Sequence, residues 1–234
     1  MKVVILAGGL GTRFGKMTST KPKPMIKIGE YPILLHIIKY FKSYGFNEFF
    51  IALGYKGEII RKYFKNLKLD GVKVHLVDTG IKTMTGGRLK KFENLISDDN
   101  FMLTYGDGLC NVNLKKLIKF HKRHNKISTV TAVHPPGRFG NLDIKNSKVI
   151  SFNEKHQLGE SWINGGYFVF KKEIFKYLKS SNTVLELEPM KKLTKKKQLM
   201  AYKHNDFWQC MDNLREKRFL EEEWKKKPKW KKWK

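Results

Sequence analysis

The stretch Val3-Val4-Ile5-Leu6-Ala7-Gly8-Gly9-Leu10-Gly11-Thr12-Arg13 decides the fold. An uninterrupted apolar run that stops at glycine is the pattern of a central parallel strand buried on both faces. The run is too short for the apolar core of a signal peptide. The glycines that follow let a backbone approach a ligand closely, and their exposed N–H groups favour a phosphate or a base edge. The same glycines would serve equally in a tight strand-to-helix turn. A dinucleotide fingerprint starting at Gly9 fails at Phe14, and a phosphate loop ending at Gly15-Lys16 fails at Leu10 and Met17.

Downstream, strand and helix patterns alternate. Pro32 opens a helix whose apolar positions Ile33, Leu34, Ile37, Ile38 and Phe41 keep helical spacing. Strands are expected at Phe49–Leu53, Val72–Val77 and Phe101–Tyr105, and helices at Glu58–Leu67, Leu89–Ile96 and Leu114–His121. The second half reads as strands at Thr129–Val133, Leu142–Ile144, Val149–Phe152, Trp162–Phe170 and Leu199–Tyr202, with helices at Ile174–Leu178, Leu185–Leu193 and Asn213–Trp224. This order predicts an α/β fold, a Rossmann-like and mostly parallel sheet flanked by helices, with extra strands in the C-terminal half. No repeat or linker divides the chain, so one domain is expected over residues 1–223, followed by a basic Lys/Trp tail at 224–234.

Composition narrows the function. Hydrophobic residues make up 41% of the 234, enough for a core and too many for a disordered chain. The net charge of +27 suggests nucleic acid first. Yet only 7 of the 48 basic residues are Arg, the usual bidentate reader of phosphate and base edges. The lysines are scattered except in the tail, which argues for a solvated surface rather than nucleic-acid binding. Cys110 and Cys210 stand alone, with neither zinc spacing nor a disulfide framework, as in the reduced cytoplasm. No apolar run approaches a membrane span. The seven histidines show no metal-ligand spacing and read as surface or structural.

Arg13 and Lys21-Pro22-Lys23-Pro24-Met25 set cations on a stiffened segment just after the glycine loop. Lys23 there is either a polyphosphate clamp or a solvated loop charge. The pair Leu6-Ala7-Gly8-Gly9-Leu10-Gly11-Thr12-Arg13 and Lys21-Pro22-Lys23-Pro24 resembles the signature of sugar-1-phosphate nucleotidylyltransferases. Val77-Asp78-Thr79-Gly80, Met84-Thr85-Gly86-Gly87-Arg88, Thr104-Tyr105-Gly106-Asp107-Gly108, Pro135-Pro136-Gly137-Arg138-Phe139-Gly140, Ile163-Asn164-Gly165-Gly166, Glu188-Pro189 and Phe207-Trp208-Gln209 extend it in order. They narrow it to the glucose-1-phosphate cytidylyltransferase family.

The resemblance implies that CTP and glucose 1-phosphate give CDP-glucose and pyrophosphate, for surface polysaccharide. Related transferases using another base or sugar phosphate, and a non-catalytic binding module, are the alternatives. It implies Mg²⁺ as cofactor, with Asp107 and Asp212 as its carboxylates. Two carboxylates suffice because Mg²⁺ completes its shell with phosphates and water. By their positions alone Asp107 could be a turn residue and Asp212 a helix N-cap. Arg13, Lys23 and Asp107 are the expected catalytic residues, the two cations steadying the triphosphate and leaving pyrophosphate. Leu6, Ala7, Gly8, Gly9, Leu10, Gly11, Thr12 and Arg13, with Thr83, Arg88 and Gly106, are expected at the nucleotide. Glu154, Lys155, Asn164 and Gly165 are expected at the sugar phosphate. Phe207-Trp208 could cover the site or fill the core. A homo-oligomer is implied. However, the family's insertion between Val72 and Val77 is missing, and the loop Phe14–Thr20 lacks the family's acidic character. Those departures bear on assembly and base choice.

Overall fold

The computed structural model describes residues 1–135, 141–153 and 161–233. In chain order they form β1 (Val3–Leu6), a 3₁₀ stretch (Thr12–Ser19), β2 (Lys27–Ile28), β3 (Tyr31–Pro32), α1 (Ile33–Lys42), β4 (Glu48–Leu53), α2 (Gly57–Asn66), β5 (Lys73–Asp78) and α3 (Thr85–Lys90). Then follow β6 (Asn100–Tyr105), β7 (Gly108–Cys110), α4 (Leu114–His124), β8 (Ser128–Val133), β9 (Asn141–Lys145), β10 (Lys148–Asn153) and β11 (Ile163–Lys171). The chain closes with α5 (Glu188–Lys195), β12 (Leu199–His204), β13 (Trp208–Cys210) and α6 (Leu214–Lys225).

Seven strands make the main sheet in the order β12-β8-β11-β6-β1-β4-β5. Neighbours run parallel except β11, which is antiparallel to both β6 and β8. Its reversal has a consequence for the site: Asn164, near the start of β11, lands beside the carboxyl end of β6. The mostly parallel α/β sheet and the added C-terminal strands are those expected from the sequence.

Helices cover both faces, so the inner strands are buried on both sides, while the edge strands β5 and β12 keep exposed positions. Along β1, Val3 and Ile5 join the core that holds α1 and α4, while Val4 and Leu6 join the one beneath α3 and α5. This alternation is the period of two of an extended chain. Helix α1 is buried nearly all round, His36 included. Its outer side is covered by the tail: Trp230 is fully buried, and Trp224, Trp230 and Trp233 all contact the His36 ring. Through these tryptophans the segment 224–233 packs onto the core, with its lysines left exposed.

Three helix expectations shift. The helix expected at Leu89–Ile96 begins earlier, at Thr85, and ends at Lys90. Beyond it, tighter i to i+3 bonds such as Leu95 N–H to the Phe92 carbonyl keep Leu89, Phe92 and Ile96 facing inward. Their spacing reports burial, which both helix types satisfy. The expected helix Ile174–Leu178 is a 3₁₀ stretch, Lys172–Tyr177. The one expected from Leu185 starts at Glu188 with Pro189 in its first turn, because Pro189 has no N–H to give the Leu185 carbonyl that a helix begun there would need.

Candidate active site

A cleft of about 660 Å³ opens over the carboxyl ends of β1 and β6. Ligands of open α/β sheets bind at this edge. The two strands are in register, Leu6 opposite Tyr105, and the Gly106 N–H extends the ladder to the Leu6 carbonyl at 3.0 Å. A Cβ at Gly106 would press on that carbonyl, on Ala7 and on Pro24. Leu6 to Arg13, Lys23, Thr83, Arg88, Tyr105, Gly106, Asp107, Asn164, Trp208 and Asp212 all line the cleft.

The glycine loop is shaped for its place. Gly11 sits at φ +67°, a conformation costly for other residues, and turns the chain into the 3₁₀ stretch. A Cβ on Gly8 would strike the Arg88 guanidinium at 2.3 Å. That guanidinium is the loop's internal support. Arg88 is buried and donates to the carbonyls of Leu53 (3.0 Å), Gly8 (2.9 Å) and Ile81 (3.1 Å), and to the Thr79 hydroxyl (2.6 Å). It ties together the segments that leave β1, β4 and β5. Its place at the cleft wall is thus combined with donors already committed to the protein.

Lys23 is held between two carboxylates. Its Nζ donates to Asp107 Oδ2 at 2.6 Å and to Asp212 Oδ1 in a short contact. Burial works against its charge, but Asp107 and Asp212 outweigh it, so Lys23 keeps its proton more tightly than an ordinary lysine. Arg13 reaches Asp212 Oδ2 at 2.6 Å with its side chain largely exposed. Asp107 and Asp212 meet because β7 and β13 pair, Cys210 opposite Gly108, with the Met211 N–H on the Asp107 carbonyl at 2.9 Å.

Asp212 does not cap α6. Asn213 does, its side-chain oxygen accepting the Glu216 N–H at 3.0 Å, so the Asp212 carboxylate faces the cleft instead. Asp107 and Asp212 converge on one cationic group and offer only oxygen, a donor set that fits Mg²⁺. Cys210, Asp212 and Glu216 also cluster, with possible ligand atoms within 4.8 Å of one another. That group suits a metal less well: Glu216 accepts the Asp212 N–H, and burial, aided by Glu216 and Asp212, pushes the Cys210 thiol up to about 12.

Asn164 lines the cleft wall at the start of β11, and Gly165 lies behind it against Val133 and the Thr131 carbonyl. Glu154, Lys155 and the stretch 136–140 lie outside the described residues. The aromatic pair divides. Phe207 stacks on Trp230 in the core, whereas Trp208 lines the cleft and donates from Nε1 to the Gly165 carbonyl at 2.7 Å. Tyr105 and Glu186 are among the residues at or beside the cleft with no role assigned from sequence. Tyr105 stood inside a recognised stretch, but Glu186 offered no signal beyond an acidic residue in a loop.

The nucleotidyl transferase family model matches residues 2–225. Glucose-1-phosphate cytidylyltransferase of Salmonella typhimurium is 45% identical, covering 100% of both chains. That alignment takes 256 positions for the 234 residues here, so the relative carries segments this chain lacks. Mannose-1-phosphate guanyltransferase of Saccharomyces cerevisiae is 31% identical over 94% of this chain and 63% of its own length. Among solved structures, HddC from Yersinia pseudotuberculosis superposes with a TM-score of 0.77 at 28% identity, over 95% of this chain and 99% of that one. Sequence likeness along the full length and the same fold in a solved relative agree: the chain belongs to the nucleotidyl transferase family, alongside the glucose-1-phosphate cytidylyltransferases.

Proposed function

We propose that the protein joins CTP and glucose 1-phosphate to give CDP-glucose and pyrophosphate. The observation that carries this reading is the Arg13–Asp212–Lys23–Asp107 array at the mouth of a glycine-lined cleft. Such a transfer asks mainly for positioning and charge neutralisation. An oxygen of the sugar phosphate attacks the α-phosphorus, a new P–O bond forms, and the bond to pyrophosphate breaks with its electron pair on the leaving oxygen. No strong base is needed, since the sugar phosphate is anionic at neutral pH.

The backbone from Leu6 to Arg13, with Thr83 and Gly106, holds the nucleotide in this reading. Arg88 acts by fixing the loop and the cleft wall. Lys23 and Arg13 turn from their carboxylates to the triphosphate and pyrophosphate. Asp107 and Asp212 would hold Mg²⁺, which when bound neutralises phosphate charge. Asn164, Gly165, Glu154 and Lys155 serve the sugar phosphate. We place the protein in the cytoplasm, where its two cysteines stay free thiols, and propose a homo-oligomer, testable by light scattering. No helix among the described residues is long and apolar enough to cross a membrane.

A matrix of CTP, UTP, dTTP and GTP against several sugar 1-phosphates, read by pyrophosphate release, tests the reading. Turnover should be highest with CTP and glucose 1-phosphate. A preference for another pair would move the chain to a related transferase, and no turnover with any pair would refute the chemistry.

A further inference from the structure

Glu186 belongs to a chain of hydrogen bonds that crosses the cleft floor from the nucleotide side to the sugar side. One carboxylate oxygen accepts the Thr85 hydroxyl at 2.6 Å, and the other accepts the Tyr105 hydroxyl at 2.5 Å. The Tyr105 oxygen in turn accepts from Asn164 Nδ2 at 3.2 Å. Asn164 Oδ1 accepts the Gly166 N–H at 2.8 Å. The phenol has one proton to donate, which goes to the Glu186 carboxylate, and its oxygen keeps a lone pair for the Asn164 amide. Every polar atom of the Asn164 amide is thereby assigned except one N–H.

Glu186 is delivered by a segment that has its own seat. The Ser181 carbonyl accepts the Met84 N–H at 2.8 Å, and the Thr183 carbonyl accepts the Gly87 N–H at 3.1 Å. The Thr85 hydroxyl oxygen accepts the Leu185 N–H at 2.9 Å. A Cβ on Gly87 would lie 2.3 Å from the Ser181 carbonyl oxygen, and one on Gly86 2.8 Å from the Thr183 side chain. The Thr85-Gly86-Gly87 stretch is small because residues 181–186 lie on it. The start of α3 is capped by that loop rather than by a side chain.

We infer that Glu186 is a positioning residue: through Tyr105 it fixes the Asn164 amide so that its remaining N–H points at an oxygen of the sugar phosphate, and through Thr85 it locks this arrangement to the nucleotide-side segment Ile81–Met84. The inference rests on the proposed sugar-phosphate chemistry. Breaking the chain should weaken the sugar side most, since Arg88 holds the glycine loop through bonds to Leu53, Gly8, Ile81 and Thr79, none of which passes through Glu186.

The test measures steady-state kinetics and, separately, binding of glucose 1-phosphate and of CTP by calorimetry, for wild type, Glu186→Gln, Glu186→Ala, Tyr105→Phe and the double variant Glu186→Gln/Tyr105→Phe. Glu186→Ala and Tyr105→Phe should each raise the KM and Kd for glucose 1-phosphate about tenfold, with the CTP values within about twofold. The double variant should be little worse than Tyr105→Phe, because both changes cut one chain. Glu186→Gln keeps the shape and one acceptor oxygen and should lie between wild type and Glu186→Ala. Unchanged sugar-phosphate values in all variants would overturn the inference, as would a parallel loss of both substrates together with a lowered Tm. Wild type binding no sugar phosphate would refute the proposed function itself, and is told apart by being seen before any substitution.

Discussion

Two regions of this molecule look alike in composition and differ in what their residues do. At the cleft, Lys23 and Arg13 face Asp107 and Asp212, and each cation is held by a carboxylate. At the C-terminal end, lysines alternate with tryptophans, and the aromatics do the work. Trp230 is buried, stacks on Phe207 and donates to His36 Nδ1 at 3.3 Å, while Lys229 stays in solvent beside an exposed Asp206. A count of positive charge does not separate the two. Burial and the partner of each cation do.

The contrast can be broken first at the cleft. Asp107→Asn should lower kcat by about 10³-fold, worth about 4 kcal/mol of barrier, with little change in Tm. An unchanged kcat in the pyrophosphate assay would remove Asp107 from the chemistry.

At the tail the effect should be on stability instead. Trp230→Ala empties a fully buried site and should cost about 3–5 kcal/mol in urea unfolding, while residual folded protein keeps its kcat. A Tm equal to wild type would mean that the tail does not belong to the core.

The next prediction concerns acid. His36 Nε2 donates to the Ile28 carbonyl at 2.8 Å, so Nδ1 must be the acceptor for Trp230. Burial lowers the His36 pKa from 6.5 to about 4. The unfolded chain therefore takes up this proton first. The stabilisation is complete above pH 6.5 and is lost as pH falls towards 4, in total about 3 kcal/mol. His121 shows the same direction and adds to the slope. Urea midpoints at pH 7 and pH 5 read this directly, and His36→Gln should flatten the difference.

The smallest effect should come from the tail lysines. Lys229→Ala removes an exposed ion pair and should shift stability by less than about 0.5 kcal/mol. A larger change would erase the distinction drawn between the two regions.

Much of the fold was legible because burial leaves a periodic mark. The run Val3–Ala7, the apolar positions of α1 and the alternating order of elements come from residues near one another in the chain. The same periodicity misled at Leu89–Ile96, since a 3₁₀ turn and an α-helix bury the same three side chains. Within the site, the glycine loop and Lys23 were readable as one local block. Asp212 was ambiguous, and the neighbouring Asn213 cap rules out the capping role. Arg88 stood out by type, but only its carbonyl partners reveal it as a support for the loop.

The sequence by itself determined the class of sheet, and which charged groups the chain can offer and in what order. Only the tertiary structure decided which of them meet. Asp107 and Asp212 come together through the β7–β13 pairing, Asn164 reaches the site because β11 runs against its neighbours, and His36 finds Trp230 at 194 residues' separation. Local patterning sets how a segment buries its own face, whereas strand pairing and packing between distant segments depend on the whole chain's arrangement, which no short stretch encodes.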